Sequence, residues 1–354
     1  MKKMFVFAFL LTAVLFLAGC TQKEKLYVLN FGDYINDELI DSFEDEYNCK
    51  VVYTELNSNE EMYQKMKNED YDIVIVSDYM IDRLYQEGLI VSLDYTQIPN
   101  YDFDGYFTQA QNLINNQCTN FKNYFVPYFW GTVGIMYNTN VEGLEEYVEA
   151  NGLSAIFTDN GYKKGMYNSS RDALSMALLY NGYDINSNDD TELNTALNTL
   201  IAADYEMWGD DSLKQLIQTG QLDLAMVYSG DYLDELYTCE INEETPNFGY
   251  FAPESTNIWI DGMCLTSVCQ NADLAYSFMN YFNDTENCAE NAAYIGYAPL
   301  SETVYNLLYT EYDYDYDASI FFPYPEGSTR EMYHYVSIEH YNKLNDLLDR
   351  AKNN

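Results

Sequence analysis

The chain has 354 residues and carries 57 acidic residues against 17 basic ones, a formal net charge of −40 at pH 7. This balance argues against nucleic acid as a partner, because phosphate binding needs a positive surface. The length exceeds one compact core and suits two lobes of ordinary domain size. An acidic surface attracts cations, but charge alone fits a role in solubility equally well.

The chain begins with the features of an export signal. Two lysines precede an apolar run from residue 4 to residue 17, which is too short for a membrane-spanning helix. The sequence Leu-Ala-Gly-Cys then ends at Cys20 and resembles the lipobox of bacterial lipoproteins. The resemblance implies a signal peptide at 1–19, a lipidated Cys20 and a tether at 20–25. The mature chain would be held at the extracytoplasmic face of the cell membrane, or in the periplasmic space where an outer membrane exists.

Apolar periodicity predicts alternating strands and helices after the tether. Strands are predicted at 26–30, 51–53 and 72–76, with a helix after each. Ser58 and Glu61 form a capping-box signal for the second of these helices. Alternation of this kind indicates an α/β unit with a parallel sheet.

The later chain repeats the same alternation. An extended segment at 126–138 reads as a crossing to a second α/β unit, which includes a helix at 170–180 and a strand at 222–228. A strand at 259–266 and a helix at 272–282 predict a return crossing near residue 258. Two crossings predict two lobes with a cleft between them: lobe 1 at 26–132 and 259–300, lobe 2 at 133–258 and 301–354.

Catalytic and cofactor motifs are scarce. The chain has two histidines, no Gly-x-Ser-x-Gly elbow, no Gly-rich phosphate loop and no paired metal-site histidines. The six cysteines after Cys20 match no zinc or redox spacing and are predicted to be mostly buried thiols, with a disulfide left open as an alternative. Tyr-Asp repeats at 309–317 predict a solvated acidic loop. No enzyme activity, cofactor or metal is therefore expected.

Aromatic rings and carboxylates alternate where several predicted strands end, which is where ligands bind in open α/β sheets. These places are 31–34, 77–79, 228–231, 259–261 and 294–297. A flexible ligand with ammonium groups on a methylene chain needs this mixture. Carboxylates pair with the nitrogens, while ring faces cover the chain and attract the cations.

Five segments resemble the spermidine/putrescine-binding proteins of bacterial ABC importers, in matching order and spacing: residues 31–40 (FGDYINDELI), 55–63 (ELNSNEEMY), 71–79 (YDIVIVSDY), 127–132 (PYFWGT) and 295–299 (IGYAP). The resemblance implies an α/β, two-lobed, periplasmic-binding-protein-like fold of type II. It also implies a monomer that captures a polyamine, putrescine or spermidine, and delivers it to an ABC permease and its ATPase.

The resemblance also implies the ligand-binding residues. They are Phe31, Asp33, Tyr34, Ser77, Tyr79, Asp172, Tyr228, Asp231, Trp259, Asp261 and Tyr297, with a looser match at Ser169, Glu331 and Tyr333. Three departures from the family pattern bear on selectivity. Phe31 and Tyr228 replace tryptophans, Asn168 and Ser169 occupy a turn that often holds an acid, and Asp172 is shorter than the expected glutamate.

Other readings of these residues stay open at this point. Asp172 and Asp231 lie near helix starts, where acids commonly cap the backbone, and each tyrosine taken singly is more often packing than site. Trp130 is assigned to packing at the hinge. Alternative functions are binding of ferric iron or another cationic solute, a carbohydrate hydrolase that uses two carboxylates, and a sensory or adhesive lipoprotein with a vestigial cleft.

Overall fold

The computed structural model describes residues 23–311, 322–324 and 326–353. The predicted signal peptide and Cys20 lie outside the described residues. In the predicted Tyr-Asp loop, residues 309–311 are instead the last residues of a helix, and 312–317 are not described. No helix in the described part of the chain is both long and apolar enough to span a membrane.

Strands and helices alternate along the described chain, as the periodicity predicts. The strands are β1 (Glu24–Phe31), β2 (Cys49–Leu56), β3 (Ile73–Ser77), β4 (Val126–Gly131), β5 (Val133–Asn138), β6 (Lys164–Tyr167), β7 (Met207–Gly209), β8 (Leu224–Tyr228), β9 (Phe248–Phe251), β10 (Ser255–Asn257), β11 (Trp259–Leu265) and β12 (Thr329–Glu331). The helices are α1 (Asp37–Glu46), α2 (Asn59–Met66), α3 (Asp78–Gln86), α4 (Thr108–Gln117), α5 (Leu144–Asn151), α6 (Ser154–Phe157), α7 (Ser170–Tyr180), α8 (Asp190–Ala203), α9 (Leu213–Gln218), α10 (Ser229–Ile241), α11 (Ala272–Phe282), α12 (Thr285–Ile295), α13 (Glu302–Glu311) and α14 (Ile338–Lys352).

Each lobe is built on a five-stranded sheet. The first sheet has the order β2-β1-β3-β11-β4, and the second has the order β7-β6-β8-β5-β9. In the first sheet β1 runs parallel to β2 and β3, whereas β11 runs antiparallel to β3 and β4. The apolar residues of β3 are fully buried, because helices and loops cover both faces of this strand. The α/β prediction is confirmed.

Local signals explain where several helices begin and end. The Ser58 hydroxyl accepts from the Glu61 N–H at 3.2 Å, which satisfies one free donor at the start of α2. A capping box also requires the Glu61 carboxylate to accept from the Ser58 N–H. It accepts instead from the Asn57 N–H at 3.2 Å, so this second hydrogen bond of the predicted box is wrong by one residue. Helix α7 ends at Tyr180, and Gly182 follows in the left-handed region with φ of +79°.

Two buried clusters of apolar side chains correspond to the two sheets. Residues from β1, β3, β4 and β11 form the first cluster, and residues from β5, β6 and β8 form the second. Helix α14 packs into the second cluster through Leu344 and Leu347. Helix α13, which the predicted division assigns to lobe 2, packs Val304 and Leu308 into the first cluster. The lobe boundaries themselves stay a prediction.

Two of the connections between the lobes, at Thr132 and near residue 258, lie side by side in the described part of the chain. Thr132 alone separates β4 in the first sheet from β5 in the second. The Asn257 side chain accepts from the Val133 N–H at 2.9 Å, and the Thr256 hydroxyl donates to the Val133 carbonyl at 2.8 Å. These bonds join the two crossings into one hinge. Trp130 is fully buried beside it and packs against Phe107 and Phe322, all in or against the first cluster.

The six described cysteines are free thiols. Cys49, Cys118, Cys239 and Cys264 are buried, whereas Cys269 and Cys288 are half-buried. Their burial is consistent with a packing role, since a buried cysteine behaves as a small apolar side chain. Strand β1 begins at Glu24, inside the predicted tether of 20–25.

Candidate functional site

Asp261 is a buried carboxylate in the middle of the first sheet. It lies on β11 opposite Ser77, the last residue of β3, and next to a register shift between β11 and β4. Such irregularities re-aim side chains. Asp261 is 5% exposed, and its Oδ1 atom has no hydrogen-bond partner in the structure. Burial raises the pKa of Asp261 to about 6, although the nearby hydroxyls of Ser77 and Tyr34 act in the opposite direction.

A row of four aromatic rings lies beside this carboxylate. Tyr34 contacts Tyr297 with 5.5 Å between ring centroids, Tyr297 contacts Trp259 at 5.2 Å, and Trp259 contacts Tyr228 at 6.1 Å. All three pairs meet edge to face, an arrangement worth about 0.5 to 1.5 kcal/mol per pair beyond burial. Phe31 extends the row through Tyr34 at 5.7 Å. Because Tyr228 ends β8 in the second sheet, the row spans both lobes.

Asp231 lies on the lobe 2 side of the row, in the first turn of α10. Its Oδ2 atom accepts from the Tyr228 N–H at 3.1 Å and from the Tyr167 hydroxyl. Its Oδ1 atom lies 3.4 Å from the Tyr297 hydroxyl and 3.9 Å from the Lys214 ammonium. Burial and the neighbouring Asp211 raise the pKa of Asp231 to about 7, while Lys214 acts to lower it. Both oxygens thus have partners within the protein.

Asp172 lies in the first turn of α7 and is 5% exposed. Ser169 caps this helix, because its hydroxyl accepts from the Asp172 N–H at 3.3 Å. The Tyr228 hydroxyl donates to the Asp172 carboxylate at 2.8 Å, which places this acid at the lobe 2 end of the aromatic row. Burial and the charge of Asp172 raise the pKa of the buried Tyr333 hydroxyl, so Tyr333 also lies near this carboxylate.

Ser77 and Tyr79 follow β3 on the lobe 1 side. The Ser77 hydroxyl accepts from the Asn59 amide at 3.0 Å, and the Tyr79 hydroxyl donates to Glu60 at 3.0 Å. The guanidinium of Arg171, in the first turn of α7, lies 3.7 Å from the centre of the Tyr79 ring. This cation-π contact joins the two lobes at the cleft.

Two residues of the predicted site lie apart from the rest. Asp33 is exposed and has a positive φ of +51°, and no described hydrogen bond or ring contact joins it to the aromatic row. Glu331 is half-buried in β12, and its carboxylate lies 3.5 Å from the Ile185 N–H. The structure brings together the other predicted residues, and we call seven of them the cleft cluster: Tyr34, Asp172, Tyr228, Asp231, Trp259, Asp261 and Tyr297.

The predicted site omits several residues that contact the cleft cluster or its immediate neighbours. Asp78 accepts from the Ile260 N–H at 3.0 Å and the Tyr79 N–H at 2.6 Å, and burial raises its pKa to about 8. Tyr167 and Lys214 contact Asp231, as described above. Tyr167 is the last residue of β6, so the pattern of aromatic residues at strand ends could have predicted it. Lys214 belongs to no recognisable motif. The only signal in the sequence is that basic residues are rare in this chain.

The cleft cluster combines buried carboxylates with ring faces, which suits a ligand with cationic groups on an apolar chain. The hydroxyls of Tyr228 and Tyr167 donate to carboxylates, and burial raises the pKa of both tyrosines well above the ordinary value. Within the described ranges, no group of three or more His, Cys, Asp and Glu side chains is arranged to hold a metal ion.

The comparisons with known proteins agree with this architecture. A putative spermidine/putrescine ABC transporter protein from Listeria monocytogenes superposes with a TM-score of 0.78 at 27% identity, over 93% of this chain and 99% of that chain. The spermidine/putrescine ABC transporter substrate-binding protein from Streptococcus pneumoniae gives 0.75 at 29% identity, over 93% and 99%. The fold is therefore the two-lobed, type II periplasmic-binding-protein fold.

Similarity extends to sequence. The spermidine/putrescine-binding periplasmic protein of Salmonella typhimurium is 25% identical over 292 residues, which cover 79% of this chain and 78% of the relative. The profile of the bacterial extracellular solute-binding proteins matches residues 38–316. The match covers most of the chain, which therefore belongs to the family of bacterial extracellular solute-binding proteins.

Proposed function

We propose that the protein is the extracytoplasmic solute-binding component of an ABC importer and that it binds a polyamine, putrescine or spermidine, between its lobes. The bound chain of methylene groups would lie against the rings of Tyr34, Trp259 and Tyr297. Asp261 and Asp172 would pair with its ammonium groups. Phe31, Ser77 and Tyr79 would border this space, and no catalytic step is assigned to the protein.

The observation that carries the proposal is the unpartnered Oδ1 atom of Asp261. A carboxylate that is 5% exposed loses most of its hydration, and an unpaired buried charge is costly. A ligand ammonium that reaches this oxygen supplies the missing partner in a place where electrostatic attraction is strong. The aromatic row beside it adds cation-π attraction and covers the apolar part of the ligand.

The named relatives support the same ligand class, because those similar over most of their length are described as spermidine- and putrescine-binding proteins. Ferric iron is less well supported by the geometry. Tyrosines bind ferric iron as phenolates, whereas here Tyr228 and Tyr167 use their hydroxyls as donors to Asp172 and Asp231.

Isothermal titration calorimetry on the mature chain tests the proposal. Putrescine and spermidine at micromolar concentrations should release or absorb measurable heat and raise the Tm in a parallel thermal-shift assay. The matched control ligand is 1,4-butanediol, which has the four-carbon chain of putrescine without its charges. It should give neither signal. Absence of heat with both amines, or equal binding of the diol, would contradict the proposal.

The proposed partners are a membrane permease and its ATPase, with Cys20 as the lipid anchor. Lipidation would keep the binding protein close to the permease, so its loss should affect transport and not ligand affinity. We expect Cys20→Ala to lower polyamine uptake by cells while the purified protein binds its ligand with unchanged Kd. Cys49→Ala, at a buried thiol of the first sheet, controls for the loss of a cysteine. Normal uptake by the Cys20→Ala strain would remove the anchor from the mechanism.

A further inference from the structure

Lys214 is a largely buried basic side chain with three acids around it, Asp211, Asp231 and Asp234. It lies on α9, and its side chain is only 12% exposed. Its ammonium lies 2.6 Å from Asp234 and 3.9 Å from Asp231. Both carboxylates raise its pKa, so Lys214 stays protonated at neutral pH despite its burial. An ammonium group of the protein itself therefore occupies the position beside Asp231.

Asp231 has no need of an ammonium from outside. One oxygen accepts from the Tyr228 N–H and the Tyr167 hydroxyl, and the other faces the Tyr297 hydroxyl and Lys214. Asp261 differs, because its Oδ1 atom has no partner. A buried carboxylate with satisfied oxygens gains little from a further cation, whereas an unsatisfied one gains much.

We propose that Lys214 is a specificity-determining residue that fills the Asp231 position and restricts the cleft to ligands with two ammonium groups. This inference rests on the proposed polyamine function. Three buried carboxylates belong to the cleft cluster, namely Asp172, Asp231 and Asp261. Both oxygens of Asp231 already have partners in the protein, Lys214 among them, so Asp172 and Asp261 remain for the ligand, which matches a diamine such as putrescine.

Two more acids lie around Lys214, but Asp234 is 39% exposed and Asp211 is exposed, so neither adds a buried carboxylate to the cleft cluster. Both oxygens of Asp78 accept from backbone N–H groups, so this carboxyl has no oxygen left without a partner. Arg171 stacks on the Tyr79 ring and donates to the His334 carbonyl, and no ion pair within the described ranges joins it to a carboxylate. A third ligand ammonium would thus meet the like charge of Lys214, and the Asp234 carboxylate beside it already pairs with that lysine at 2.6 Å.

Calorimetry with putrescine and spermidine on three proteins tests this role: the natural chain, Lys214→Met and Lys50→Met. Methionine keeps the length of the lysine chain and removes the charge. Lys50 lies on the edge strand β2 and pairs with Glu44 of α1, so its substitution changes the net charge equally at a site outside the cleft cluster. The natural chain should bind putrescine at least about tenfold more tightly than spermidine. Lys214→Met should reduce that ratio about tenfold, and Lys50→Met should leave it unchanged.

The outcomes separate this inference from the proposed function. If the natural chain binds neither amine, both are wrong. If it binds both amines but spermidine as tightly as putrescine, or if Lys214→Met keeps the natural ratio, only the role of Lys214 is overturned. The comparison of the two amines on the natural chain needs no variant, so it decides the question even if Lys214→Met does not fold.

Discussion

Asp261 in the first lobe and Asp231 in the second are equally buried, each 5% exposed, yet their surroundings differ in kind. Asp261 has an oxygen without a partner, whereas Asp231 is held by two tyrosines, a backbone N–H and Lys214. Burial alone therefore does not identify a ligand-binding carboxylate. On the function proposed above, Asp261 would pair with a ligand ammonium because one of its oxygens has no partner, whereas Asp231 already has Lys214 beside it.

The largest expected effect is on the lobe 1 side of this comparison. Asp261→Asn removes the charge that we assign to a ligand ammonium, so diamine affinity should fall by about 2 kcal/mol or more, roughly thirtyfold in Kd. The same change removes an unpaired buried charge, so the unliganded protein should keep or gain stability. Calorimetry and urea unfolding measure the two quantities. Unchanged diamine affinity would remove Asp261 from the site.

Asp231→Asn should show the opposite pattern. The substitution takes the negative charge away from the buried Lys214 and weakens the acceptor of the Tyr167 hydroxyl, at a cost of about 2 kcal/mol in the free energy of unfolding. Diamine affinity should change less than for Asp261→Asn. The matched control is Asp234→Asn, whose side chain is 39% exposed and should contribute less to stability. A large loss of affinity with normal stability would reverse our assignment of the two acids.

A third test concerns the contact between the two lobes at Gly230 and Tyr297. Gly230, at the start of α10 in lobe 2, lies so close to Tyr297 in lobe 1 that an added Cβ would be 2.1 Å from the ring. Gly230→Ala should keep the lobes from adopting this arrangement and raise the diamine Kd about tenfold. Small-angle scattering of the ligand-saturated variant should show a larger radius of gyration. Gly32→Ala has open space around its added carbon and serves as the control; equal behaviour of the two variants would contradict an interlobe role for Gly230.

The smallest expected effect is a pH dependence. Burial raises the pKa of Asp261 to about 6, above the ordinary value near 4. Between about pH 4 and pH 6 the folded protein therefore binds more protons at this site than the unfolded chain does. As pH rises through this range, Asp261 makes the unliganded protein less stable. A ligand ammonium pairs with the ionised form, so the increase in Tm with putrescine should be larger at pH 7.5 than at pH 5.0. Asp261→Asn should reduce that difference; an equal increase at both pH values in the natural chain would contradict it.

Much of the fold could be predicted from periodicity and caps. Helix α7 begins and ends where the sequence predicts, because Ser169 caps one end and Gly182 follows the other. The crossing near Thr132 was also visible as an extended segment with small residues. The packing of α13 could not be predicted, because the sequence does not show which lobe its apolar residues contact. In the structure they pack into the first cluster.

The sequence predicted where the candidate site lies, but it did not predict how the charges within the site are paired. Rings and acids at strand ends marked Tyr34, Trp259 and Asp261, which the structure brings together. Sequence spacing could not show that Lys214, on a short helix 17 residues before Asp231, returns to that carboxylate. The exposure of Asp33 could not be predicted either. It depends on the backbone conformation of the turn after β1, where Asp33 has a positive φ.

The start of β1 at Glu24 sets a length scale for the whole protein. If Cys20 carries the lipid, only three residues lie between the anchor and the sheet, a span of roughly 14 Å at full extension. Strand β1 then rises about 25 Å from that end to Phe31 beside the aromatic row. The anchor would therefore keep the Glu24 end of the first lobe within about 14 Å of the lipid, whereas the aromatic row lies at the opposite end of β1.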